Sequence, residues 1–461
     1  MSDPPAENAL IVVLDTVRAS STSFGGREIT PTLDRVAGEG TRFERAITPA
    51  PWTLPAHASF YTGLYPSEHG AVHGHRWLAG EHTTLAERLH DEGFATGVFT
   101  PNAFLTESFN MARGFDEVSF TRGEANRLFA DGLDPVAFLN EREHDSGLAR
   151  LREIAAAVGD GPVLKNIANA AYFKYRDLRG DPDGMPPTHR WDEQAVADAT
   201  AFVEERAAAG ERFFAVVNLV QAHAPWAYDP ERLRAVGVEP REIAPPERWR
   251  EVAAVSEKQW EYAAGEIEFD DTDRRILEAL YESWIHAVDS LAGDLLDTLD
   301  EVGVLEDTLV VMTADHGESL AEDGVLGHEL TVSERVAHVP LAVRGPGVPG
   351  GSVERTVSLR DLYGTVLSGL DVGEVPGVFD TGRQGEALVE AFGVNPENVD
   401  ERFREVVGEY GTRRALFTDE GWAERRSEQT FGDSAVLDRL DSTLESLHHA
   451  GVGEREESLP P

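Results

Sequence analysis

The apolar run Ala9–Leu14 is continuous, rich in β-branched residues, and stops at Asp15. Such a run suits a strand buried on both faces of a parallel sheet. Runs of the same kind recur at Ala95–Phe99, Phe213–Leu219, Thr308–Met312 and Val339–Val343. Between them, helical patterns cover Thr32–Glu39, Leu54–Thr62, Thr84–Asp91, Asp192–Ala208, Asp271–Glu301 and Asp361–Leu370. Strands alternating with helices predict an α/β layered sheet whose loops after the strand C-termini hold the chemistry. Asp15, Gln221 to His223 and Asp315-His316 all fall at such strand ends.

Two stretches break the pattern. Ser119–Pro187 is charge-rich with weak periodicity and reads as an inserted helical excursion, and Pro240–Gly265 is irregular, with Pro245-Pro246 and two tryptophans. Long loops on α/β enzymes often serve as lids, so residues 119–187 and 228–270 are expected to choose the organic part of a substrate. After Asp371 the chain turns Gly-, Pro- and acid-rich, with a possible strand pair at Glu405–Tyr410 and Arg414–Thr418. The expected division is a main unit over residues 1–371, with 119–187 inserted, and a small C-terminal subdomain with an acidic tail over 372–461. No fixed-period repeat is visible.

The chain has 461 residues and 41% apolar composition, enough for a large soluble core. It has no cysteine, which excludes a disulfide scaffold, a thiolate metal site and a cysteine nucleophile. Against 83 Asp and Glu stand 41 Lys and Arg, a formal charge of −42 spread along the chain. Nucleic acid, which needs a basic footprint, is not an expected partner. The only lysines are Lys165, Lys174 and Lys258. Self-repulsion on this scale is tolerable where salt screens charges to about 3 Å, near molar strength. An extreme halophile's cytosolic protein is the reading that follows, and no run reaches membrane-spanning length. Nothing in the sequence sets an oligomeric state.

Asp15 ends a buried strand, where a carboxylate needs a partner to offset desolvation. Standing alone it is equally well explained as a turn cap. Asp315-His316-Gly317 follows a second apolar strand, and carboxylate oxygen beside imidazole nitrogen makes half of a divalent-metal site. In Trp52-Thr53-Leu54-Pro55, proline tolerates only the first helical turn, so Thr53 is expected at a helix N-terminus, where free N–H groups favour an anion. A hydroxyl there, bound to a metal, can attack phosphorus or sulfur; the plain alternative is an N-cap. His69, His73 and His75 fit a loop better than a second metal site.

The ordered set Asn8–Arg18, Thr30–Asp34, Thr53–Ser59 and Asp315–Glu318 resembles the sulfatase family of the alkaline phosphatase superfamily. Gly63–Pro66 with His69-Gly70, the Asp289 helix, Gly327-His328, Val339-Pro340 and Arg344–Gly347 extend the resemblance over residues 8 to 370. It implies a three-layer α/β/α sandwich of the alkaline phosphatase/sulfatase type, with one divalent metal beneath the substrate anion. It also implies Asp15, Asp315 and His316 as ligands, with Thr53 as nucleophile and ligand together. His223 matches a residue near the leaving group, and His328 a position that contacts the anion.

The departures redirect the chemistry. Sulfatases need Cys or Ser where Thr53 stands, because oxidation to an aldehyde gives formylglycine; threonine would give a ketone, so no formylglycine is expected. His57 replaces an arginine, Thr16 replaces a second aspartate, and the lysine and histidine pair near Thr100–Leu105 is missing, leaving Asn102 as the polar substitute. What remains looks more like the superfamily's threonine-using phosphotransferases and phosphodiesterases. The expected protein is a cytoplasmic enzyme acting through Thr53, with His57, His223 and His328 assisting, on a small phosphate ester or, second, a sulfate ester. Its metal is Mn2+, Zn2+ or Ca2+. A strict sulfatase and a silent anion-binding scaffold are the alternatives.

Overall fold

The run that opens the chain is buried along its whole length and lies near the middle of a large sheet. The computed structural model describes residues 4–125, 128–129, 163–179, 188–381, 385–394, 396, 399–426 and 429–447. Among these, the strands are β1 (Asn8–Leu14), β2 (Thr41–Ile47), β3 (Ala95–Thr100), β4 (Glu117–Phe120), β5 (Phe213–Leu219), β6 (Thr308–Thr313), β7 (Ser319–Leu320), β8 (Leu326–Gly327), β9 (His338–Arg344), β10 (Gly351–Ser358), β11 (Glu386–Ala391), β12 (Arg413–Thr418), β13 (Trp422–Arg426) and β14 (Gln429–Gly432). Eight of them form one sheet in the order β10-β2-β9-β6-β1-β5-β3-β4.

All pairings in that sheet are parallel except those of β9, which runs against both β2 and β6. Val339–Val343 was expected as one more parallel strand. A strand buried on both faces is apolar whichever way it points, so its composition carries no direction. β2 and β10 escaped the pattern altogether, because at this side of the sheet Arg42, Glu44, Arg45 and Glu354 interrupt the apolar positions.

Helices α1 (Pro31–Gly38), α2 (Thr53–Thr62), α3 (Leu85–Asp91), α4 (Val163–Arg179), α5 (Thr188–Ala209), α6 (Asp271–Glu301), α7 (Leu362–Gly369) and α8 (Ser434–Leu447) include all the segments with predicted helical period. α6 packs against α1 and α5 in one layer, and α2 packs against α3 and α7 in the other, giving the three-layer sandwich. Asp289, inside α6, accepts from the N–H groups of Thr32 at 2.9 Å and Leu33 at 3.0 Å, so a buried carboxylate closes the free start of α1.

Pro240–Gly265 folds as short helices at Pro240–Ile243, Pro246–Ala253 and Gln259–Ala263 rather than as loop. Most of the 119–187 insertion lies outside the described residues. Beyond Asp371, β11 to β14 form an antiparallel sheet backed by α8. Ala387, Val389 and Phe417 of that sheet share a buried cluster with Ile47, Val332 and Ala337. The expected strand Glu405–Tyr410 is instead a helical turn over Arg404–Gly408, and β12 pairs with β11 and β13. Phe403 and Val407, four residues apart, are both buried on its inner side, a helical spacing that the Val406-Val407 pair concealed.

Candidate active site

β1 runs beside β5 with Leu14 opposite Leu219, and beside β6 with Val13 opposite Thr313. The strands therefore end together, and Asp15, the Val220–His223 turn and Asp315-His316 emerge along one edge. Asp15, Asp315 and His316 are fully buried, and one ligand-capable atom of each lies within 4.8 Å of the others. His316 Nε2 is 3.9 Å from Asp15 Oδ1 and 3.5 Å from Asp315 Oδ2. These same atoms, Asp15 Oδ1, Asp315 Oδ2 and His316 Nε2, have no hydrogen-bond partner.

The opposite sides of the same groups are satisfied. Asp15 Oδ2 accepts from Asn102 Nδ2 at 3.1 Å and Asn218 Nδ2 at 3.3 Å. Asp315 Oδ1 accepts from the N–H groups of Thr16 at 3.2 Å and His316 at 2.9 Å. His316 Nδ1 donates to the Gly317 carbonyl at 3.0 Å, which leaves the Nε2 lone pair facing the carboxylates. Burial pushes Asp315 up to about 7 and His316 down to about 3. Burial, then Asp315, raises Asp15 as well. Two carboxylates and an imidazole with converging lone pairs and no donor among them suit a divalent cation. No other group of metal-ligating side chains occurs among the described residues.

The backbone around these three residues is tightly built. Thr16 sits in the left-handed region at φ 63, and Tyr281 holds its turn, donating to the Thr16 carbonyl at 2.5 Å and accepting from the Arg18 N–H at 2.9 Å. A Cβ on Gly317 would stand 2.3 Å from the Arg335 carbonyl oxygen and 2.8 Å from Arg18 Cβ, so only glycine fits there. The Asp192 carboxylate accepts from the Val220 N–H at 2.9 Å and the Gln221 N–H at 2.7 Å, which pins the turn leading to His223.

Thr53 is the first residue of α2, with Trp52 as the N-cap and no side-chain cap from it. Its Oγ1 lies 3.4 Å from Asn102 Nδ2, the nitrogen that also donates to Asp15. The Thr48 hydroxyl donates to the Asp315 carbonyl and lies 3.0 Å from the Ala50 carbonyl, tying the two parts together. His57, one turn into α2, donates from Nδ1 to the Thr53 carbonyl at 3.0 Å and stands 3.6 Å from Asp315 Oδ2. Burial lowers it to about 3, so it is a neutral imidazole where the resemblance led to expect an arginine.

His328 lies with its ring centroid 4.3 Å from that of His316 and 5.3 Å from that of His223, so both predicted histidines border the ligand cluster. Burial lowers His328 to about 4, whereas burial of His223 is outweighed by Asp15 and Glu318, leaving it raised. Glu318, quoted in the motif but given no role, is buried with both oxygens at 3.3 Å from His328 Nδ1. Asn218 was missed too, although an asparagine inside the apolar run Phe213–Leu219 is a visible signal. Asp192 and Tyr281 gave none, since each reaches the site from a distant helix. Of the loop histidines, His69 bonds Ser59 Oγ from Nε2 at 3.1 Å and His75 bonds the Gly70 carbonyl from Nδ1 at 3.0 Å, as structural roles require.

Comparison with known proteins places the chain in a family and a fold. The family model described as Sulfatase matches residues 7–372. The ulvan-active sulfatase of Formosa agariphila is 24% identical over 394 residues, covering 84% of this chain and 65% of that protein. Arylsulfatase K of Bos taurus is 23% identical over 393 residues, covering 81% and 64%. The chain thus spans slightly less than two thirds of the length of these relatives. The crystal structure of the phosphonate monoester hydrolase of Agrobacterium radiobacter superposes with a TM-score of 0.63 at 19% identity, covering 99% of this chain and 95% of that one, a likeness of fold.

Proposed function

Because this chain belongs to the sulfatase family, we propose that it is an ester hydrolase or transferase that uses one divalent metal ion and the Thr53 hydroxyl as nucleophile. Its substrate is a small phosphate ester, ahead of a sulfate ester. The observation that carries this reading is the convergence of Asp15 Oδ1, Asp315 Oδ2 and His316 Nε2, all without partners, beside a threonine linked to Asp15 through a single Asn102 amide.

Asp15, Asp315, His316 and Thr53 would hold the ion. Once bound, it supplies positive charge that favours the threonine alkoxide and the developing charge on the reacting group. Thr53 Oγ1, having released its proton to solvent water, attacks phosphorus, the bond from phosphorus to the leaving oxygen breaks, and a phosphothreonine remains. Free N–H groups of Thr53 and Leu54 at the start of α2 face the bound anion. His223 and His328 serve the leaving oxygen, one of them giving it a proton. Water, or an alcohol acceptor, then attacks phosphorus and returns Thr53 to its hydroxyl. Asn102 keeps Thr53 and Asp15 in register throughout.

The second reading, a sulfatase in the strict sense, is favoured by the names of the curated relatives. A threonine at position 53 speaks against it, since it cannot become an aldehyde. Assay of a 4-nitrophenyl phosphodiester against 4-nitrophenyl sulfate, at high salt with manganese, zinc or calcium, separates the two. Faster sulfate hydrolysis overturns the first. The net charge of −42 supports work in a saline cytoplasm.

A further inference from the structure

Trp52 and Asn102 flank the nucleophile, one directly before Thr53 in sequence and the other bonded to its hydroxyl. Each begins a wall. The Trp52 indole stacks on the His73 imidazole with centroids 4.2 Å apart and planes 18° from parallel, and it meets Phe104, two residues past Asn102, edge-on at 5.5 Å. Over this wall lies the half-buried Arg76, whose guanidinium carbon is 5.5 Å from the Trp52 centroid and 5.5 Å from that of Phe104.

His73 is the odd member. It is 6% exposed, and its buried Nε2 has no hydrogen-bond partner. His69 and His75 of the same loop both have partners. A buried ring nitrogen left unpaired is unfavourable, and stacking on Trp52 accounts for the ring plane but not for that atom. Its stack on Trp52, the residue before Thr53, sets His73 beside the start of α2 rather than in the remote core. Asp15, Asp315 and Glu318 are buried acids, whereas Arg76 brings a guanidinium over the Trp52 and Phe104 rings.

We propose that His73 and Arg76, held on the Trp52 and Phe104 rings beside Thr53, form a second subsite that takes an acidic oxygen group, such as a carboxylate, carried on the organic part of the substrate. His73 donates a hydrogen bond from Nε2, and Arg76 provides charge and a planar donor face. The proposal rests on the reading of Thr53 and the metal ligands as the reacting centre, and it adds that the substrate bears a second acid group beyond the ester.

Calorimetry on the full-length, metal-loaded protein tests it, comparing 3-phosphonopropanoate with propylphosphonate. The wild type is expected to bind the carboxylated compound at least tenfold tighter. His73→Phe, which keeps the stack and removes the ring nitrogens, and Arg76→Gln should each bring that ratio close to one, and His73→Gln should restore part of it. Equal affinities in the wild type, or a ratio unchanged in both variants, overturn the subsite. Binding needs no turnover, so its failure is distinct from that of the Thr53 reading, which shows as no hydrolysis of ethyl 4-nitrophenyl phosphate. Circular dichroism confirms that each variant is folded; should His73→Phe fail to fold, Arg76→Gln decides alone.

Discussion

Both carboxylate oxygens of Glu318 lie 3.3 Å from Nδ1 of His328. A buried acceptor pair on one ring nitrogen holds the proton there and turns the other nitrogen toward the pocket. Glu318, after Asp15, also keeps the neighbouring His223 raised, so Glu318→Ala should deplete the protonated form of His223 and slow an ester with a poor leaving group about 100-fold, while an ester of 4-nitrophenol, which leaves without a proton, slows far less. Equal loss on both esters would assign Glu318 to folding instead. Steady-state kinetics on the matched pair makes the distinction.

Removal of any one of Asp15, Asp315 or His316 should abolish stoichiometric divalent-ion binding, because so few side chains form the site. Elemental analysis of the Ala variants measures it, and an ion retained in all of them contradicts the assignment. Without the ion, burial holds Asp315 at about 7. Binding must therefore displace a proton below that pH, and affinity should weaken as pH falls from 8 to 6, which calorimetry in buffers of differing ionisation heat detects.

Thr53→Ala should remove turnover while at most weakening metal binding, since the two carboxylates and the imidazole that converge without it persist. Thr53→Ser keeps the hydroxyl and should retain part of the rate. Intact-mass measurement during turnover of a phosphodiester should find one added phosphoryl group, located at Thr53. An unmodified Thr53 under steady-state conditions, with full activity in Thr53→Ala, refutes the nucleophile.

Asp192 touches no ligand atom, yet it supplies the acceptor for the Val220 and Gln221 N–H groups. Asp192→Ala leaves these groups buried without a partner, at a cost of about 3 kcal/mol in stability. A denaturant midpoint unmoved by the change would show that water takes the place of the carboxylate.

Dilution from molar salt to about 0.1 M lengthens the screening distance from about 3 Å to about 10 Å. With a net charge of −42, the chain should lose thermal stability steeply over that range. Scanning calorimetry across a chloride series checks it, and a flat response rules out salt adaptation as the origin of the acid excess.

The alternation of apolar runs and helical periods was enough to place Asp15, Asp315 and His316 together, because parallel strands in register bring sequence-distant strand ends to one edge. Thr53 was legible for a related reason, since Pro55 allows one place in a helix. The reversed β9 was not, as direction leaves no trace in a doubly buried strand. Nor was Asp192, whose bond to the Val220 turn depends on how α5 lies on the sheet. His73 was read as a loop residue and lies in a turn, but its stack on Trp52 left no trace in the spacing, because that neighbour is a residue far back in the chain.

Every residue of α2 is buried, from Thr53 to Thr62. A helix enclosed on all sides has no free face along which to slide or bend, so the Thr53 hydroxyl, proposed above as nucleophile, surrenders its freedom when the chain folds and not when a substrate arrives. A substitution along α2 would therefore reach Thr53 through packing on every side, whereas Arg76, only half-buried, stands clear of that enclosure.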